Sequence, residues 1–259
     1  MSDALHAEWT KLRTLASTGW LLLGVIALTV AVSAAAAAVG TCHSSAGCHP
    51  DITKLSLTGI GLGQAVVVIV AVLAVSGEYS TGMIRTTLAA MPCRTAVLAA
   101  KAAVVLGLTL AAGAVAVLGS VLAGQLILPG HGLTPAHGYP ALSLTDGPVL
   151  RAAVGSVLYL GLIALLSLGI ATAVRDSAAA IGVVLGLLYL FPILGQVVSS
   201  PGWQRHLEQL GPMSAGLEIQ ASTGLRNLPI SPWAGLGVLA AWAAAALLVG
   251  GLLLRLRDA

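Results

Sequence analysis

Glu78, Arg85 and Arg94 stand close together between two long apolar runs, in a chain that is otherwise nearly free of charge. The stretch that holds them runs from Gly77 to Arg94. Its apolar residues Tyr79, Met83, Ile84, Leu88 and Met91 fall near a helical repeat, which predicts a short amphipathic helix. Pro92 is expected to stop that helix, and Lys101 marks entry into the next apolar run. A charged helix held between two spans on the basic side of a membrane suits contact with a cytoplasmic partner. The competing reading is that it lies on the lipid headgroups.

A second group with chemical potential is Cys42-His43 and Cys48-His49, in one short loop. Cys42 and Cys48 are candidates for a small disulfide on an oxidising side. Unpaired thiols and a metal-binding quartet also fit the residues. Cys93 is expected to be a free cytoplasmic thiol, and His131 and His137 to be solvated loop residues.

Missing residue types count against several functions. The sequence places no charged residue in the middle of an apolar run; Lys101 and Arg151 are expected at span ends, where they can snorkel. Gln64, Gln125 and Gln196 are the main polar groups in or near the runs. Ion-coupled transport normally needs an intramembrane carboxylate, a histidine or a broken ion-binding helix. There is no His-Glu-x-x-His pair for zinc, no pair of intramembrane aspartates, and no histidine placed to activate a serine in a span. A phosphate-binding Gly-x4-Gly-Lys-Ser/Thr loop is also missing. A non-catalytic chain without a cofactor is expected, any nucleotide energy coming from another polypeptide.

These residues must be positioned by membrane helices. Of 259 residues, 58% are hydrophobic and 8% charged, whereas a soluble domain is about 25% charged. That composition predicts one all-α, polytopic membrane domain covering 1–259. The formal charge of +3 is too small and too dispersed for nucleic acid. Asp3, Glu8, Lys11 and Arg13 precede a first apolar run of about twenty residues, long enough to span rather than to be a cleaved signal. Leu5, Trp9, Leu12 and Ala16 share a face, so 3–16 reads as an interfacial helix, or else as a frayed lead-in.

Six spans are expected, at about 19–39, 56–76, 101–128, 151–173, 178–198 and 233–254. Gly59/Gly63 and Gly182/Gly186 are small-xxx-small pairs that permit close helix approach. Asp176 or Ser177 is expected to cap the fifth span. The segment 199–231 is too apolar for a free loop, and Gly211-Pro212 breaks it in two. It reads either as two short helices dipping into the outer leaflet or packing on the bundle mouth, or as an amphipathic external loop. Lys11, Arg13, Arg85, Arg94, Lys101, Arg175, Arg255 and Arg257 fall on one side of the membrane. Lys54, Arg151, Arg205 and Arg226 fall on the other. That asymmetry puts both termini and 78–94 in the cytoplasm.

The 78–94 stretch resembles the permease subunits of the type-2 export branch of ATP-binding-cassette transporters. That family places a Glu after its second span, a Gly four residues on, then a Leu, a Pro, an Arg and a Lys opening the third span. Here these are Glu78, Gly82, Leu88, Pro92, Arg94 and Lys101. Ala7 to Thr14 is similar to actinobacterial members. Met83 and Cys93 depart from the usual residues without removing a charge. The resemblance implies that 78–94 is a coupling helix seated in a groove of a separate ATPase subunit, with Glu78, Tyr79, Gly82, Met83, Arg85, Leu88, Pro92 and Arg94 as the contact set. It also implies pairing with a second permease subunit, the same or different, and efflux across a bacterial cell membrane. The apolar spans favour a lipophilic or amphiphilic cargo. The alternative is a membrane-anchored structural or metal/redox-sensing protein that uses the Cys42/Cys48 loop.

Overall fold

The computed structural model describes residues 16–39, 51–80, 94–131, 133 and 142–256, with side chains for all of these except 16, 78–80 and 94. The expected interfacial helix 3–16 (all but Ala16), Cys42 and Cys48, and most of the expected 78–94 helix lie outside the described residues.

The described chain is built of helices: α1 Ala16–Val39, α2 Ile52–Ser56, α3 Ile60–Ser80, α4 Arg94–Ile127, α5 Gly147–Val174, α6 Ser177–Val197, α7 Pro201–Leu210, α8 Pro212–Leu217 and α9 Pro232–Leu256. Short 3-10 turns sit at Leu128–His131, Glu218–Gln220 and Leu225–Asn227. Six helices (α1, α3, α4, α5, α6 and α9) are long and apolar enough to cross a membrane. The protein is an all-α, multi-pass membrane protein.

Helix ends follow local chemistry. The Asp51 carboxylate accepts from the backbone N–H groups of Thr53 and Lys54 and starts α2. Asp176 accepts from the Ala179 N–H at 2.8 Å and starts α6, one of the two caps expected for the fifth span. Between them, Arg175 turns the chain in the left-handed region (φ 65°), and its N–H closes α5 on the Ala171 carbonyl. Pro201, Pro212 and Pro232 each open a helix, where the missing N–H costs nothing. Pro192 lies inside α6.

Three boundaries differ from the sequence reading, and one is the fourth span, which opens at Gly147, not near 151. The second span begins at Ile60, not near 56, because the capped α2 and a turn at 57–59 come first. The third begins at Arg94, well before Lys101; nothing between Thr95 and Ala100 breaks a helix. Lys101 falls on the stripe of buried Val97 and Val104, at i−4 and i+3, and is itself buried at 4% exposure. It therefore does not snorkel outward from a span end as expected.

The bundle is organised on α5, which packs on α9, α4, α3 and α6. Its inward residues Tyr159, Leu160, Ile163, Leu166 and Leu168 are fully buried. Small residues let backbones meet, since apolar area alone does not draw helices together in lipid. A β-carbon on Gly169 would lie 2.5 Å from the Ala246 carbonyl carbon and 2.6 Å from the Leu247 nitrogen of α9. One on Gly250 would lie 2.5 Å from the Gly169 oxygen. Gly59 is pressed on α1, its N–H donating to Ser33 Oγ at 3.0 Å, and a β-carbon at Gly63 would collide with Thr29. The Gly182/Gly186 pair instead faces open space.

Because backbone atoms cannot move aside as a side-chain tip can, Gly169→Val and Gly250→Val are expected to destabilise by more than about 3 kcal/mol. Gly182→Ala, which meets nothing, is expected to be neutral or to stabilise by up to about 1 kcal/mol. Thermal unfolding followed by size-exclusion chromatography in detergent separates the two classes.

Candidate functional site

Of the residues singled out around 78–94, Glu78 and Tyr79 lie in the last turn of α3, and Arg94 is the first residue of α4. Gly82, Met83, Arg85, Leu88 and Pro92 lie outside the described residues, so the structure does not show whether they share a face. It does show what holds the stretch. Two membrane-length helices end and begin on its flanks, and α4, with 34 residues, is about 50 Å long against a hydrocarbon core of about 30 Å. Chain direction through the six spans puts the α5–α6 turn at Arg175-Asp176 and the end of α9 at Arg255 on the same face of the bundle.

The opposite face carries a polar clasp that the sequence did not single out. Asp51, besides capping α2, reaches the segment after α8. Ser222 Oγ donates to Asp51 Oδ1 at 2.6 Å, and the N–H groups of Ser222 and Thr223 donate to Oδ2. Beside it, Lys54 Nζ pairs with Glu218 at 3.5 Å, and an Arg151 guanidinium N–H donates to the Ala221 carbonyl. Gln125 Nε2 donates to the Leu142 carbonyl at 2.6 Å. Burial raises the Asp51 pKa, but the Ser222 hydroxyl and the N–H groups of Thr223, Ser222 and Lys54 outweigh it and hold the carboxyl below its ordinary 3.8.

A third polar group lies inside the bundle. Gln64 of α3 and Tyr159 of α5 are both fully buried, and the Tyr159 hydroxyl donates to Gln64 Oε1. Gln64 Nε2 donates to the Gly61 carbonyl at 3.0 Å and to the Met213 sulfur at 3.1 Å. The Tyr189 hydroxyl of α6 donates to the same Gly61 carbonyl at 2.7 Å. A β-carbon on Gly216 would lie 2.7 Å from the Tyr159 ring. The short helix α8 is thus seated on this cluster, with Pro212, Ala215 and Gly216 buried.

The segment 199–231 therefore holds two short helices parted at Gly211 and two 3-10 turns, with α8 packed into the bundle and α7, exposed over most of its length, lying against α6. The Trp242 indole of α9 donates to the Leu210 carbonyl at 3.0 Å and fastens the junction. Gln64 was visible in the sequence as a polar group in an apolar run; its partner was not, because a tyrosine in such a run also reads as an interface residue. Asp51 carried a signal, a cap residue just before Ile-Thr-Lys, but its distant partners carried none.

Among the described residues no cluster of three or more His, Cys, Asp or Glu could hold a metal ion. No protein-family model matches the chain, and no curated protein matches it.

Two tests follow. Above the ordinary carboxylate pKa the Asp51 clasp contributes its full stability, which is lost as the pH falls through the lower folded value. Hydrogen exchange at Ser222 and Thr223 is expected to stay slow at pH 5, and Asp51→Asn to speed it roughly tenfold. Gln64→Leu leaves the Tyr159 hydroxyl without an acceptor and is expected to cost about 1–3 kcal/mol. Adding Tyr159→Phe removes the stranded donor, so the double variant is expected to unfold at a higher temperature than Gln64→Leu alone.

Proposed function

We propose that the protein is the non-catalytic membrane subunit of an ATP-driven transporter of the ATP-binding-cassette class, worked by a separate ATPase subunit. The reading rests on the 78–94 stretch. It carries Glu78, Arg85 and Arg94 at the junction of α3 and α4, and its motif resembles the coupling helix of type-2 export permeases. Its flanks support the reading: a push on the connection reaches two membrane-length helices directly, and α3 and α4 each pack on the central α5. Basic residues concentrate on that face, which favours the cytoplasm for 78–94 and for both termini in a bacterial cell membrane.

In this mechanism the ATPase pair closes on ATP, the 78–94 helix follows, and α3 and α4 tilt against α5. Glu78 and Arg85 make the polar contacts with the ATPase. Met83, Ile84, Leu88 and Met91 fill its groove or lie against the protein's own bundle. A second permease subunit, the same chain or another, completes the path. The cargo class that suits the apolar spans is lipophilic or amphiphilic, and the direction is export.

An ATP-binding-cassette ATPase is expected to co-purify with the chain. Glu78→Arg is expected to weaken its retention roughly tenfold or more, by placing like charge at a contact. Deleting 82–91 is expected to abolish ATP-dependent transport while membrane insertion and monodispersity persist. Unchanged retention and transport after both changes would overturn the proposal.

A further inference from the structure

Helices α4 and α9 both lie along α5 but touch each other little. The gap between them is a groove of about 400 Å³, walled by Leu106 and Leu110 of α4, Leu158, Leu162 and Leu165 of α5, and the start of α9. That volume falls in the ordinary range for a site holding a small ligand. The geometry points to a binding site for one acyl chain of a membrane lipid.

Three observations carry this. The walls are helical stripes: Leu158, Leu162 and Leu165 at i, i+4 and i+7, Leu106 and Leu110 at i and i+4, and Trp233, Leu236 and Ala240 on α9. The groove is three-walled by construction, not an accident of loose packing. Gly161 of α5 lets Leu106 and Leu110 settle close; a β-carbon there would stand 2.9 and 3.0 Å from their methyls. Gly237, on the wall opposite, has nothing within 4 Å of where its β-carbon would be, so the missing side chain is part of the empty volume.

The occupant follows from position. The groove lies along membrane-spanning helices, and its open side continues the apolar surface those helices present to hydrocarbon, including Leu158 at 40% exposure. No ionic group lines it, which excludes a polar ligand. Trp233 stands at its upper end, the second residue of α9 and 56% exposed. A tryptophan there marks the headgroup level, and its indole N–H makes no hydrogen bond among the described residues. From Trp233 to Ala240 the wall descends about 10 Å. A lipid can keep its headgroup beside the indole and lay its chain along the leucines. A second copy of the protein and a transported amphiphile are the competing occupants.

The proposal stands apart from the ATP-coupling reading, and its test contains no ATPase. The full chain is purified in mild detergent with a phospholipid carrying a diazirine in its acyl chain, illuminated, digested and mapped by mass spectrometry. Labelling is expected to concentrate on 158–165 and 233–240, about fivefold above 183–197 of α6, although that stretch is the more exposed. Gly237→Leu, which fills the open space, is expected to bring the groove down to the α6 level; Leu158→Trp, from the facing wall, is expected to do the same. Uniform labelling, or labelling that neither variant lowers, would overturn the proposal. So would exclusion of the lipid by a second copy, seen as chain-to-chain cross-links from a photoreactive residue at position 162. Displacement by a single-chain amphiphile without headgroup preference would reassign the groove to cargo.

Discussion

Hydrocarbon offers no hydrogen-bond partner, and that constraint orders this structure. Gln64 and Tyr159, both fully buried within membrane-length helices, satisfy each other. Gln64 spends its remaining donor capacity on the Gly61 carbonyl and Met213. Charged side chains gather at the ends, where Asp51, Lys54 and Arg151 tie the loops of one face, while small hydroxyls such as Thr29, Ser120 and Ser156 stay buried inside. The bundle is tied by hydrogen bonds at one end and carries on the other the connection between α3 and α4.

The two faces are built differently. The Asp51 clasp joins the start of α2 to the segment after α8, and the Gln64 cluster seats α8 itself. That end is cross-tied between segments more than 140 residues apart in sequence. At the other end α3 and α4 run straight to the 78–94 stretch. Under the proposed coupling, a force applied there meets long helices and small-residue contacts such as Gly169 on Ala246 and Gly250 on Gly169, which allow close approach without interlocking bulk. In the mechanism we propose, the central α5 carries the displacement across the membrane.

Much of this architecture was legible in the residues, for identifiable reasons. An apolar run of some twenty residues has one stable fate in lipid, so six helices followed from composition and spacing. Asp176 as a cap and the break at Gly211-Pro212 are local signals, and local signals read well. Lys101 was misplaced because a lysine beside an apolar run is normally a border marker. Here it sits on the buried stripe of Val97 and Val104, a fact of packing and not of spacing. The clasp and the Tyr159–Gln64 pair were illegible because their partners are distant in sequence. The groove beside Gly237 depends on how three helices lean together, which no single stretch encodes.

The account turns on which side of the membrane the α3–α4 connection faces. Cysteine placed at position 83 or 88, in a background with Cys42, Cys48 and Cys93 changed to Ser, can be probed with a membrane-impermeant thiol reagent. Coupling to a cytoplasmic ATPase predicts no labelling on intact cells and full labelling once the membrane is permeabilised. Equal labelling on intact cells would put the connection outside, beyond the reach of any ATPase, and would contradict the account.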